Sequence, residues 1–354
     1  MPRVLPLSVV VAAAIASVLT GVSHGLSTKA PEKDLPRVRL VATGGTIATR
    51  SGGTRLSAEE LLQSVPDLRR YVRPESEQFS NVASTALALE QWVRLARRIN
   101  DLLADDSTLQ GIVVTTGTDT LEELAFFLHL TVRSPRPVVV TGSMRIPGAT
   151  GYDGPANLLS AFRTAGDPKA PDKGVLVVMN DEINSAREVA KTDAQRLDAF
   201  QSRQRGPLGL VEAERVSFVH GPLKRHTIRS EFDVSHIGDL PRVDLLLFYQ
   251  GATPDLLRAA IDLGARGLVV AVAGADTSAG TMSEGLSYAA RRRVPIVLST
   301  RTGAGRIASP IGDLSTAEYI AGEDLPPLKA RILLALALTR TQSPSEIQRM
   351  FREY

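Results

Sequence analysis

The chain has 354 residues, 43% hydrophobic and 22% charged, which excludes a disordered protein and leaves room for two domains with a sizeable core. Its 41 Lys and Arg stand against 38 Asp and Glu, so a net charge of +3 supplies no polyanion-binding field, and Arg291-Arg292-Arg293 reads as a solvated helix end rather than a nucleic-acid contact. Cysteine is absent, which excludes disulfides, thiolate catalysis and cysteine metal ligands, and the five histidines (His24, His129, His220, His226, His236) show no ligand spacing.

Residues 1–27 read as a secretory signal, with Arg3 as the positive start, an apolar run over 4–19 and small residues from Gly21 onward. That run is shorter than the ~20 residues needed to span a bilayer, so no membrane contact is expected after cleavage, with an uncleaved anchor as the alternative. The Gly-x-Ser-x-Gly match at 21–25 follows no core strand and is not a nucleophile elbow. Export places the protein in the periplasm or outside the cell.

Beyond the signal, short apolar runs alternate with amphipathic stretches, the pattern of a parallel α/β sheet. Residues 37–42, 111–115, 137–141 and 174–179 are predicted strands. Ser57-Ala58-Glu59-Glu60 opens a helix with a capping box. Residues 89–103 carry Trp92, Leu95, Ala96, Ile99 and Leu103 on one stripe, which makes a core-facing helix and makes Trp92 core rather than ligand platform. Further helices are predicted over 120–132 and 157–165, then antiparallel strands and loops over 187–191, 206–209 and 215–219. Residues 232–242 read as a linker. The alternation restarts with strands at 243–249, 267–272 and 295–300 and helices near 254–263, 284–292, 325–338 and 343–353, the last with a second capping box at Ser343-Pro344-Ser345-Glu346. The expected domains are residues 36–231 and 243–354, the first larger and built on a mostly parallel sheet.

Three predicted strands end on threonine and glycine: Thr43-Gly44-Gly45-Thr46, Thr115-Thr116-Gly117-Thr118-Asp119 and Thr141-Gly142-Ser143. Ligands of open α/β sheets bind outside the carboxyl ends of the strands, and glycine lets the backbone approach them closely. A hydroxyl there can act as a nucleophile if a neighbour removes its proton. Taken alone, a Thr-Gly-Gly-Thr turn is better explained by threonines that hydrogen-bond the turn. No Walker loop or dinucleotide fingerprint is present, so neither metal nor cofactor is expected.

Ala42-Thr43-Gly44-Gly45-Thr46-Ile47-Ala48 followed by Thr116-Gly117-Thr118-Asp119-Thr120-Leu121-Glu122-Glu123 resembles the paired signature of bacterial L-asparaginases. Asp153-Gly154-Pro155-Ala156-Asn157, Met179-Asn180-Asp181, Lys191-Thr192 and Gly206-Pro207-Leu208-Gly209 follow in that family's order, and the similarity runs from about Val38 onward. The signal segment is most similar to the exported, type II enzymes. The resemblance implies a two-domain asparaginase fold and hydrolysis of L-asparagine, or of L-glutamine or another small amide, through a threonine acyl-enzyme. It implies Thr46 as nucleophile, Thr118 and Asp119 in substrate contact, and Lys191 as base or proton relay. It matches Ser84 to the residue that holds the substrate α-carboxylate, although a serine ahead of a helix is also an ordinary N-cap. Backbone amides near Gly45 and Thr118 are expected to meet the oxyanion. Asp119 can also cap the helix that follows it, and Asp153 and Asn157 read as turn and helix-start residues.

Two departures from the family stand out. The segment Thr49-Arg50-Ser51-Gly52-Gly53-Thr54-Arg55 lacks the lid tyrosine, and Gly274-Ala275-Asp276-Thr277-Ser278-Ala279-Gly280 lacks the asparagine that reaches a neighbouring subunit's site. Asp276 or Thr277 is the expected substitute. The resemblance also implies a homotetramer acting on a small molecule, with no nucleic-acid partner. A non-catalytic amino-acid-binding relative is the alternative, and the joint retention of Thr46, Thr118, Asp119 and Lys191 argues against it.

Overall fold

The computed structural model describes residues 35–274, 282–308 and 319–354. The predicted signal over 1–27, with Met1 to Gly25 inside it, lies outside the described residues, and so do Asp276 and Thr277.

The chain runs β1 (Arg37–Gly44), α1 (Ala58–Gln63), β2 (Arg73–Val82), α2 (Leu89–Asp105), β3 (Leu109–Thr115), α3 (Leu121–Thr131), β4 (Val138–Thr141), α4 (Gly154–Gly166), β5 (Val175–Met179), β6 (Glu182–Ser185), β7 (Ala190–Lys191), β8 (Phe200–Gln201), β9 (Gly209–Val211) and β10 (Val216–Phe218). It continues through β11 (Val243–Leu247), α5 (Asp255–Asp262), β12 (Gly267–Val272), α6 (Met282–Arg292), β13 (Ile296–Thr300), β14 (Ile320–Ala321), α7 (Pro327–Ala337) and α8 (Pro344–Glu353). An eight-stranded sheet has the order β10-β9-β6-β5-β4-β3-β1-β2, and a four-stranded sheet follows chain order from β11 to β14. In the large sheet β2, β1, β3, β4 and β5 are parallel and the rest antiparallel; the small sheet is parallel throughout.

The inner strands are apolar on both faces because helices cover both. Leu40, Ala42, Val113 and Val139 point into one core with α1 and α4, while Val41, Val114 and Val140 point into the other with α2 and α3. That second core continues through α7 to Val269 and Val297 of the small sheet. Ser57 forms its capping box with Glu60. Ser343 does not: its hydroxyl meets Ser345 Oγ at 2.9 Å and makes no cap bond, so the second capping box is corrected.

β2 is an element the sequence pattern did not announce. Its side chains are mostly polar, as suits an edge strand with Pro74 near its start. Glu75 binds Arg37 and Arg39 of β1, and Glu77 binds Arg98 of α2. The stretch 232–242 has no regular element, yet Phe232 and Val234 are buried, and Phe232 packs on Tyr354 at 5.1 Å between ring centroids.

At the far end of α3 from its first turn, His129 accepts from the Val175 amide at 3.1 Å and lies 5.2 Å from the His226 ring. His226 Nε2 accepts from Arg229, and burial, then the Arg229 charge, push its pKa from 6.5 down to about 4. Both rings therefore fold neutral. Above pH 6.5 neither folded nor unfolded chain is protonated here, and as pH falls toward 4 the unfolded chain takes up protons first. The unfolding midpoint is expected to hold steady above neutrality and to decline between pH 6.5 and 4. Calorimetry at stepped pH checks this, with a flatter curve for His226→Gln; an equal slope in that variant would remove His226 as a source.

Candidate active site

The strand order β2-β1-β3-β4-β5 makes the chain turn in opposite directions after β1 and after β3, and a crevice opens between their carboxyl ends. Register aligns the three threonine–glycine stops there: Ala42 pairs with Thr115, and Thr115 with Thr141. Thr43 Oγ1 donates to the Thr115 carbonyl at 2.8 Å, and the Thr116 amide to Thr141 at 3.0 Å. These threonines brace the strand ends, and Thr46 and Thr118 project beyond them.

The glycines allow the two turns to touch. Gly44 and Gly45 take φ values of +108° and +87°, a region other residues avoid. A Cβ on Gly45 would fall inside the Gly117 backbone, and one on Gly117 would lie 2.7 Å from Ser84 Oγ. Gly45→Ala thus carries both backbone strain and a clash between the two turns. It is expected to lower turnover by about 10²-fold, the cost of an ångström of misplacement. Steady-state kinetics of a folded Gly45→Ala protein check this, and wild-type kcat would show that the turns tolerate separation.

Lys191 completes the cluster. It ends β7, and its Nζ donates to Thr118 Oγ1 and Asp119 Oδ1, each at 3.0 Å. Thr118 is buried, Lys191 has a side chain 18% exposed, and Asp119 faces solvent at 69%. Asp119 therefore binds a cation, and the helix cap is Thr120, which makes no side-chain cap bond. The Thr46 hydroxyl has no hydrogen-bond partner among the described residues, and the Thr46 carbonyl accepts from the Thr49 amide at 3.1 Å. Lys191 thus meets Thr118 directly.

Ser84 is buried in a single turn of 3-10 helix, Ser84–Ala86, and the N-cap of α2 is Ala88. The capping explanation for Ser84 is corrected, because α2 begins five positions later, at Leu89. Two cavities of about 340 Å³ are present, one lined by Ser84, Trp92 and Thr120, the other by Lys191, Gln201 and Arg203. Trp92 is core, its ring tilted against Phe127 with centroids 5.9 Å apart.

The expectation for Gly45 needs one correction: its amide donates to the Val82 carbonyl at 2.9 Å and is not available to an oxyanion. The amides of Thr46 and Thr118 have no backbone acceptor among the described residues and remain the donors on offer. Asp153 accepts from the Met144 and Arg145 amides, and Asn157 donates to the Gly142 carbonyl and accepts from the Asn180 amide, so both secure loops around the crevice. The 49–55 segment is a small hairpin in which Thr49 pairs with Arg55. Tyr152, which the sequence reading passed over, donates to the Ile47 carbonyl at 2.7 Å and steadies the turn just after Thr46. An aromatic directly before Asp-Gly-Pro was the available signal.

Comparison with known proteins agrees with this architecture. The family described as Asparaginase, N-terminal matches residues 37–224, and the Glutaminase/Asparaginase C-terminal domain matches residues 242–351. The chain is 41% identical over 367 residues to L-asparaginase 2 of Bacillus subtilis, covering 96% of this chain and 97% of that protein. It is 38% identical over 331 residues to a glutaminase-asparaginase of Pseudomonas fluorescens, covering 90% and 91%. The crystal structure of a probable cytoplasmic L-asparaginase from Campylobacter jejuni superposes with a TM-score of 0.85 at 38% identity, covering 90% of this chain and all of that one. With both family domains in order and identity at this level over nearly the whole length, the chain belongs to the asparaginase family.

Proposed function

We propose that the chain hydrolyses L-asparagine to L-aspartate and ammonia. The observation that carries the reading is the Lys191 ammonium group 3.0 Å from both Thr118 and Asp119, in the crevice where the Thr46 turn meets Gly117. Thr46 attacks the side-chain amide carbon, and its proton passes through the Thr118 hydroxyl to the Lys191 nitrogen, which takes it up as the neutral amine and becomes the ammonium group. The same proton then leaves with the amide nitrogen as ammonia, and water releases aspartate from the Thr46 ester. Splitting the reaction in this way replaces one difficult step with two easier ones. Ser84 and Asp119 hold the substrate's α-carboxylate and α-amino group.

A second reading follows from the same contact. Lys191 touches Thr118 and not Thr46, which favours Thr118 as the attacking hydroxyl. Rapid quench with mass spectrometry of the peptide that carries the acyl group separates the two.

Ammonia and aspartate release by purified protein, with asparagine, glutamine and a few other amides as substrates, tests the activity itself. Asparagine is expected to be turned over fastest; one methylene discriminates by only ~1–3 kcal/mol, so glutamine is expected to be hydrolysed measurably. Silence on every amide would leave a binding protein.

Export through residues 1–27 and assembly into a homotetramer belong to the same reading. Leu247, Tyr249 and Leu256 are exposed around the end of β11 and the start of α5, an apolar stretch suited to a second copy. Cell fractionation and light scattering test these two statements, and a cytoplasmic monomer would refute both.

A further inference from the structure

Lys329 is a lysine with no exposed surface, set in the mostly apolar helix α7. Its ammonium group donates to the Arg187 carbonyl at 2.8 Å and to the Val189 carbonyl, and lies 5.9 Å from the Phe126 ring of α3. Those carbonyls frame the segment that enters β7. At the end of β7 the Lys191 amide donates to Glu122 Oε1 at 3.3 Å. Glu122 is itself buried, in the first turn of α3.

Lys191 is therefore held at three levels. Lys329 grips the carbonyls before it, Glu122 accepts from its amide, and Thr118 and Asp119 accept from its ammonium group. Three of those partners lie in one short stretch, 118–122, so amide and side chain are referred to the same turn. Burial pushes the Glu122 carboxyl up, and the Lys329 charge draws it back. Burial likewise lowers the Lys329 ammonium to about 8 against the pull of Glu122. Neither charge is suited to that depth without the other. A fold needing only an apolar contact there would be served by leucine or methionine.

We propose that Lys329 and Glu122 are positioning residues, which fix the backbone of Lys191 so that its ammonium group meets Thr118. The proposal rests on the assignment of Lys191 to proton transfer. A shift of an ångström at a reacting group costs about 10²-fold in rate, so the effect should appear in kcat and spare substrate affinity.

The test uses the full-length protein as Lys329→Met, Glu122→Gln, Lys191→Met and the double variant Lys191→Met/Lys329→Met, with asparagine kinetics and thermal unfolding measured for each. Lys329→Met and Glu122→Gln are each expected to lower kcat by at least about tenfold with KM held within about threefold. Adding Lys329→Met to Lys191→Met should cost nothing further, because its effect passes through Lys191. Wild-type kcat in either folded single variant, or a full extra loss in the double variant, overturns the proposal. If Lys329→Met does not fold, Glu122→Gln decides alone, since it keeps the side-chain volume but weakens the acceptor for the Lys191 amide and takes the compensating charge from Lys329. Wild-type turnover in Lys191→Met would instead overturn the proton-transfer assignment beneath it.

Discussion

Replacing Thr46 with alanine is expected to reduce asparagine turnover by roughly 10⁴-fold or more, the scale seen when a covalent nucleophile is removed. Stability should barely change. The Thr46 hydroxyl makes no hydrogen bond among the described residues, and substitutions away from packed or bonded sites usually fall within about 0.5 kcal/mol. Ammonia release and the unfolding midpoint, measured on the same preparation, check both halves. A Thr46→Ala protein that still forms an acyl-enzyme on Thr118 would transfer the nucleophile's role to Thr118, which already holds the lysine.

Replacing Arg187 with leucine is expected to give the largest loss of stability. The Arg187 side chain is 3% exposed and binds Asp324 at 2.6 Å, Glu188 at 2.8 Å and the Tyr354 carbonyl at 2.6 Å. Removing it leaves the largely buried Glu188 and Asp324 carboxylates with the more exposed Arg205 as their remaining partner, and breaking a buried pair from one side costs about 3–5 kcal/mol. The unfolding midpoint should fall by several degrees. Arg187 also holds the Asp324 carboxyl down to about 2, although burial alone would raise it. That stabilisation is complete above the carboxyl's ordinary value of 3.8 and is lost as pH falls toward 2, so wild type and variant should converge in acid. A midpoint within a degree of wild type at neutral pH would show that the ion pairs contribute nothing net.

Some of this molecule is plain in its amino acids and some is not. The threonine–glycine stops are legible because their meaning is local: an apolar run, a glycine and a hydroxyl lie side by side in the chain. The strands β1, β3, β4 and β5 are legible for the same reason, each containing a short apolar run. β2 is hidden because an edge strand answered by arginines looks like a polar loop. Glu122 and Lys329 are hidden differently. A charged residue in an amphipathic pattern ordinarily faces water, and only the packing of α3 against α7 shows that these two face inward. Ser343 and Asp119 show the limit of capping rules, since each meets another side chain in place of a helix amide: Ser345 for one, Lys191 for the other. The Gly45 amide is a similar case, because its acceptor Val82 lies on the strand that the pattern missed.

The parallel pairing of β1 with β3 has a consequence for how the protein comes into being. The bond from Thr43 to the Thr115 carbonyl joins residues 72 apart in the chain, and the Lys191–Thr118 contact spans 73. Contacts so distant in sequence require large loops to close before they return any stabilisation, and parallel pairings of this kind form slowly. Helices α2 and α3 can gather apolar surface early without any of them. A newly synthesised chain can therefore be collapsed and largely helical while its three threonine turns are still apart. Catalysis waits for the last of these long-range closures, which makes turnover a stricter measure of completed folding than helix content.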